Sequence, residues 1–179
     1  MHVLIVYCHN MIDLDVSDAD AYPRSFRTLR RTQRVPLPLP EAFAFFERPE
    51  NLALITPSWL GFRLLTPPPI VMAAGLTLDY RVRVLEMPRR WRSRIAEYDP
   101  PHAFRDVQVI GPYRCWDHQH RFRAVADGTL IENLVVYEPP LGPIGALLDR
   151  LVIRRQLAQI FDYRQRRIEA VLARGGERS

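Results

Sequence analysis

The sequence predicts an α+β protein in which one antiparallel sheet is closed by one long helix. Three observations carry this. Short runs of alternating apolar and polar residues, bounded by turn signals, fill the middle of the chain. After Pro143 the apolar period changes from two to helical. The length of 179 residues suits a single domain, one large enough to bury roughly 70% of its unfolded surface without a disulfide or metal staple.

Residues 1–25 differ from the rest of the chain, with an apolar run from Val3 to Tyr7 leading into Asp13, Asp15, Asp18 and Asp20. They read as a poorly packed extension, with a start site placed ahead of the domain proper, and their deletion is expected to leave folding nearly intact. The domain is expected over residues 26–174. Phe26 to Val35 is a strand, broken by Pro36, Pro38 and Pro40. Pro40 and Glu41 suit a first helical turn, so Ala42 to Phe46 forms a short helix with Phe43 and Phe46 on its aromatic face. A second short helix starts at Pro49-Glu50-Asn51 and stops near Thr56, because Pro57 disfavours a helical residue before it.

Six strands are then expected. Trp59 to Leu65 is the first. Leu76 to Leu85 comes next, with Leu76, Leu78, Tyr80, Val82 and Val84 on its buried face. Pro88-Arg89-Arg90 reads as a turn into a strand that sets Trp91, Ser93 and Ile95 opposite Arg92 and Arg94 and ends at Asp99-Pro100-Pro101. Phe104 to Ile110, Arg114 to Val125 and Thr129 to Tyr137 complete the meander through turns at Gly111-Pro112 and Asp127-Gly128. From Ile144 to Ala173, Leu147, Leu151, Leu157, Phe161, Ile168 and Leu172 form one helical stripe. Arg150, Arg154, Arg155, Arg164, Arg166 and Arg167 read as its solvated flanks, and residues 175–179 as a disordered tail.

Composition limits the chemistry. All 25 basic residues are arginine. With no lysine, neither a Schiff-base enzyme nor a P-loop nucleotide site is available. Cys8 and Cys115 cannot build a disulfide framework or a cysteine-based zinc site, and a cytoplasmic location is the expectation. No apolar run approaches the roughly 20 residues of a membrane span. The net charge of +5 and the arginines at 81, 83, 89, 90, 92 and 94 would suit an anionic polymer, but Asp79, Glu86 and Glu97 interrupt them and no nucleic-acid motif accompanies them. A solvated sheet face, with no nucleic-acid partner, is expected.

The stretches Pro40-Glu41-Ala42-Phe43-Ala44-Phe45-Phe46, Asn51-Leu52 through Thr56-Pro57, Gly111-Pro112-Tyr113 with Trp116, and Tyr137 with Pro140-Leu141-Gly142-Pro143 resemble the SRPBCC superfamily. That group includes START-like lipid carriers and polyketide cyclases/dehydrases. The likeness spans about residues 27–172 and is nearest to bacterial stand-alone members. It implies a helix-grip fold of six to seven strands, with a mostly apolar cavity between sheet and helix. The implied function is binding of a small hydrophobic molecule, lipid or polyketide-like. Alternatives are a cyclase or dehydrase using a cavity histidine, and a regulatory or interaction module with a filled cavity.

Alternation places Trp116, His118, His120 and Phe122 on the inward face of their strand and Cys115, Asp117, Gln119 and Arg121 on the more charged outward face. His118 and His120 project together, as a metal site requires, with Asp106 as the candidate third ligand. We expect no metal and no cofactor, and assign the pair to orienting a ligand. Acid–base chemistry at a carbonyl is the sharper alternative. Asn133 shares a face with Thr129, Ile131, Val135 and Tyr137, and the resemblance implies Asp there; Asn accepts a hydrogen bond but cannot stabilise an imidazolium by charge. Asp106 and Gln108 read either as the polar part of the cavity or as an exposed strand face. Trp59, Tyr80, Trp116 and Tyr137 are the expected aromatic walls.

Overall fold

The computed structural model describes residues 25–84 and 87–176, with side chains up to residue 171. The expectations for residues 1–24 and 177–179 lie outside the described residues. Seven strands form one antiparallel sheet: β1 (Arg27–Val35), β2 (Arg63–Leu64), β3 (Thr77–Val84), β4 (Met87–Asp99), β5 (Ala103–Ile110), β6 (Cys115–Val125) and β7 (Gly128–Glu138). Their spatial order is β1-β7-β6-β5-β4-β3-β2. Between β1 and β2 come helix α1 (Leu39–Phe46) and two 3-10 segments, Pro49–Ile55 and Ser58–Leu60. Beyond β7 lie α2 (Gly142–Leu148), a π-helical turn (Asp149–Ile153) and α3 (Arg154–Gly176). This is the expected α+β arrangement. No helix among the described residues is long and apolar enough to cross a membrane.

Strand alternation sets both faces. Across the centre, Trp116 pairs with Tyr137, His118 with Val135, His120 with Asn133 and Phe122 with Ile131, so these eight side chains share one concave face. Two apolar clusters line that face. One gathers Phe43, Ile55, Phe104, Phe122, Ile131 and Ile168. The other gathers Val82, Trp91, Trp116, Tyr137, Leu157 and Phe161. Helix α3 is also tied to the β1 edge, where Gln33 Nε2 donates to the Gln165 carbonyl at 3.0 Å and Arg31 pairs with Asp162 at 3.4 Å.

Several expectations change. Trp59–Leu65 is not a strand: Ser58–Leu60 turn as a 3-10 segment, and Gly61 ends it in the left-handed region at φ 53°. Only Arg63 and Leu64 join the sheet. Pro88-Arg89-Arg90 is not a turn either, because β4 already runs from Met87, which pairs with Val84. Gly128 opens β7 at φ 131°, and a Cβ there would overlap the Val35 carbonyl oxygen, so the hairpin needs glycine where β1 ends. The outward face of β6 is only partly solvated: Cys115, Asp117 and Gln119 are buried, whereas Arg121 and Arg123 are exposed. Arg105 Nε donates to Asp117 Oδ2 at 2.8 Å and its Nη1 reaches Glu97, which is how this charge is accommodated. Burial raises the Asp117 pKa to about 7 against the pull of Arg105. On the same face Arg90 and Arg92 both pair with Asp79.

The closing helix is interrupted and runs to Gly176, two residues into the expected tail. The Arg154 N–H bonds back to the Asp149 carbonyl, an i to i+5 turn. One extra residue rotates the helix before it by about 100° relative to the helix after it. Leu157, Phe161 and Ile168 are therefore buried, whereas Leu147 and Leu151 are 58% and 61% exposed.

Asp149, fully buried at this turn, accepts from the Tyr137 hydroxyl at 2.7 Å and pairs with Arg27 and Arg154 at 3.4 Å each. It fastens the helix to β7 and β1. Asp149→Ala is expected to cost about 3 kcal/mol, because it strands a buried hydroxyl and breaks an ion pair. Urea denaturation measures this, and an unchanged midpoint would show that the helix is held elsewhere.

Candidate functional site

Between the two apolar clusters the sheet and α3 leave a cavity of about 180 Å³. Its walls are mostly apolar, with Leu78, Val82, Trp91, Trp116, Leu157 and Phe161 prominent. Among the described residues its polar floor comes from five adjacent strands: Tyr80 on β3, Ser93 on β4, Asp106 on β5, His118 and His120 on β6, and Asn133 on β7.

These groups form one hydrogen-bonded network. Trp91 Nε1 donates to Ser93 Oγ at 3.1 Å, and Ser93 Oγ donates to Asp106 Oδ1 at 3.3 Å. A serine has one proton, so the Tyr80 hydroxyl, 2.9 Å from Ser93 Oγ, donates to it. Asp106 Oδ2 faces His118 Nδ1 at 3.5 Å and His120 Nε2 at 3.4 Å. His118 Nε2 donates to Asn133 Oδ1 at 3.1 Å. That bond fixes the tautomer: in neutral His118 the bare Nδ1 lone pair points at a carboxylate oxygen. Such a contact calls for a proton between the two groups, or for a cation.

Burial dominates the titration of the cluster. It pushes His118 well below the usual histidine value, with His120 adding to the effect and Asp106 opposing it. Burial likewise lowers His120, to about 3. The Asp106 carboxyl is raised by the same desolvation, against the attraction of His118. Both imidazoles are therefore neutral at pH 7, and His120 stacks on Phe104 with ring centroids 4.1 Å apart. One donor atom from each of Asp106, His118 and His120 lies within 4.8 Å of the others, so among the described residues this trio could hold a metal ion.

The structure brings Tyr80, Asp106, Trp116, His118, His120 and Asn133 together around one cavity. It does not bring Trp59, Gln108 or Tyr137 there. Trp59 is 40% exposed on its 3-10 turn, and Leu60 and Phe62 face the cavity instead. Gln108 folds back on the turn after β5, its Nε2 donating to the Tyr113 carbonyl at 2.7 Å. A Cβ on Gly111 would overlap that carboxamide, so a larger residue there would displace the Gln108 side chain. Tyr137 is spent on Asp149.

Two residues were missed. Ser93 is the hub between Tyr80, Trp91 and Asp106, whereas the sequence reading sets it only opposite Arg92 and Arg94. Arg164, read as a solvated flank, lines the cavity and lies 5.2 Å from the centroid of the Phe161 ring. The signal was present: 157, 161, 164 and 168 fall on one helical face.

The sequence matches the family described as "Polyketide cyclase / dehydrase and lipid transport" over residues 35–161, more than half of the chain. The protein belongs to this family, within the SRPBCC superfamily, and its sheet and closing helix are the helix-grip fold of its structural neighbours. Protein Ms6760 from Mycobacterium smegmatis aligns with a TM-score of 0.61 at 16% identity, covering 83% of this chain and 92% of that one. TTHA0849 from Thermus thermophilus aligns at 0.59 and 16%, covering 81% and 99%. The di-domain ARO/CYC StfQ from the steffimycin biosynthetic pathway aligns at 0.64 and 14%, covering 85% of this chain and 52% of StfQ. At these identities the likeness is one of fold. No curated protein matches the sequence.

The buried histidines make a pH prediction. Because the folded His120 pKa lies below its unfolded value of about 6.5, the unfolded chain binds the extra proton, and stability from this site is lost as pH falls through 6.5 toward 3. Asp106 and Asp117 act with the opposite sign, since their folded pKa values are raised. The comparison must therefore be between variant and wild type. His120→Phe should gain on wild type by about 1.4 kcal/mol per pH unit between pH 6 and 4 in urea denaturation. Parallel pH profiles would contradict a buried neutral imidazole.

Proposed function

We propose that the protein binds a small, largely apolar molecule in this cavity and orients it on the polar floor. The cavity itself is the observation that carries the reading. Protein cores are normally close-packed, and a void of about 180 Å³ exceeds the roughly 150 Å³ that suffices to admit benzene. A body of one or two rings fits, and the floor offers hydrogen bonds at fixed positions. A family description that joins cyclase/dehydrase activity with lipid transport is compatible with this reading. An interaction module with a filled interior is disfavoured by the same open space.

A second reading is acid–base catalysis of the cyclase or dehydrase kind. Its support is the His118 geometry, a neutral imidazole with one nitrogen fixed by Asn133 and the other facing Asp106. The Asp106 carboxylate, which lines the cavity, would take a proton from a carbon next to a ligand carbonyl and pass it to the bare Nδ1 of His118. The charge missing at Asn133 is supplied from β5 instead.

Titration with 2-naphthol, a fluorescent two-ring molecule with one hydroxyl, tests the binding reading. His118→Phe should weaken binding about tenfold, near 1.4 kcal/mol, while the thermal melt stays cooperative. Equal affinity in the two proteins would remove His118 from the site. Loss of turnover on an enolisable diketone in the same variant would favour the catalytic reading over the carrier.

A further inference from the structure

We propose that the ligand of this cavity carries an acidic oxygen group, a carboxylate or an ionised enol or phenol, and that Arg164 holds it. The inference rests on the cavity being the ligand site and adds the chemical class of the ligand.

The first observation is an unmet donor. Arg164 Nε is buried and has no hydrogen-bond partner. The carboxylate of the cavity, Asp106, is instead engaged by Ser93 and His120. A buried guanidinium N–H without an acceptor is costly, and more so than for a neutral donor. Burial accordingly lowers the Arg164 pKa, with Asp106 and Tyr80 opposing the shift. Arginine does not lose its proton in proteins, so the stable resolution is an acceptor supplied from outside the chain.

The second observation is the charge of the lining. Among the described lining residues Arg48, Arg83 and Arg164 are cationic and Asp106 is the one carboxylate. Arg48 and Arg83 are exposed, and Arg164 is half-buried. Exposed arginines in the lining of a cavity raise the local concentration of anions, and a half-buried arginine can bind an oxyanion through two parallel N–H bonds. The same excess weighs against a metal on Asp106, His118 and His120, because a divalent ion would add two positive charges to a lining already short of negative ones.

The third is a contrast within the molecule. On the opposite face Arg105 and Asp117 pair directly at 2.8 Å. There the buried arginine has carboxylate partners within the chain, Asp117 and Glu97. At the cavity the chain leaves the arginine open.

The test compares 2-naphthoate with naphthalene-2-methanol, which share a ring system and differ in charge, using quenching of intrinsic tryptophan fluorescence at low salt. Wild type should bind the acid at least tenfold more tightly than the alcohol. In Arg164→Gln the loss should be at least tenfold larger for the acid, and Arg164→Lys should recover part of it. Should Arg164→Gln fail to fold, the wild-type preference and its weakening in Arg164→Lys still decide. Binding of the alcohol with no preference for the acid would overturn this inference and leave the cavity reading intact. Binding of neither would overturn both. Stoichiometric zinc lost in His118→Phe, together with no preference for the acid, would favour the cation site instead.

Discussion

Burying a hydrogen-bonding network in the middle of an apolar concave face is the constraint on which the rest of the structure depends. Strand alternation delivers His118, His120, Asp106, Ser93 and Asn133 to one face, between clusters centred on Phe43 and Phe122 and on Trp91 and Trp116. Buried polar groups are tolerated only when satisfied, so each strand must hold a fixed register for Ser93 to reach Asp106 and for His118 to reach Asn133. A slip of one residue would turn the whole set outward. The network therefore specifies the sheet as much as the sheet positions the network.

What the network leaves open defines the chemistry. Two buried nitrogens near it, Arg164 Nε and His120 Nδ1, lack partners. In neutral His120 with Nε2–H directed at Asp106, Nδ1 is an acceptor, so the interior offers one unmet donor and one unmet acceptor. An apolar body with an acidic oxygen group meets the first of these without disturbing Asp106. The Asp149 cluster behaves otherwise, since Tyr137, Arg27 and Arg154 already occupy it and its role is to fasten the helix.

Much of this was legible in the chain. Period-two alternation gave the inward faces of β3 to β7, and with them six of the nine expected site residues, because alternation is a local property of an extended backbone. The residues misplaced fail for reasons that alternation cannot carry. Trp59 depends on the left-handed Gly61, Gln108 on a side chain that turns back to its own loop, and Tyr137 on a partner twelve residues away on another element. Arg164 was readable from phase but masked by its charge, in a chain where arginine serves every basic position. Leu147 and Leu151 were lost to the π turn, which breaks the phase of the stripe.

The three tryptophans supply a direct test of the central claim that the space between sheet and α3 is a ligand site. Trp91 and Trp116 line the cavity, and Trp59 is exposed and does not. In proton–nitrogen correlation spectra, the three indole N–H signals can be followed during titration with a small aromatic ligand. Saturable shifts of the Trp91 and Trp116 signals, with Trp59 unmoved, are the result predicted. Movement of Trp59 alone, or of no indole while the ligand binds, would contradict the account.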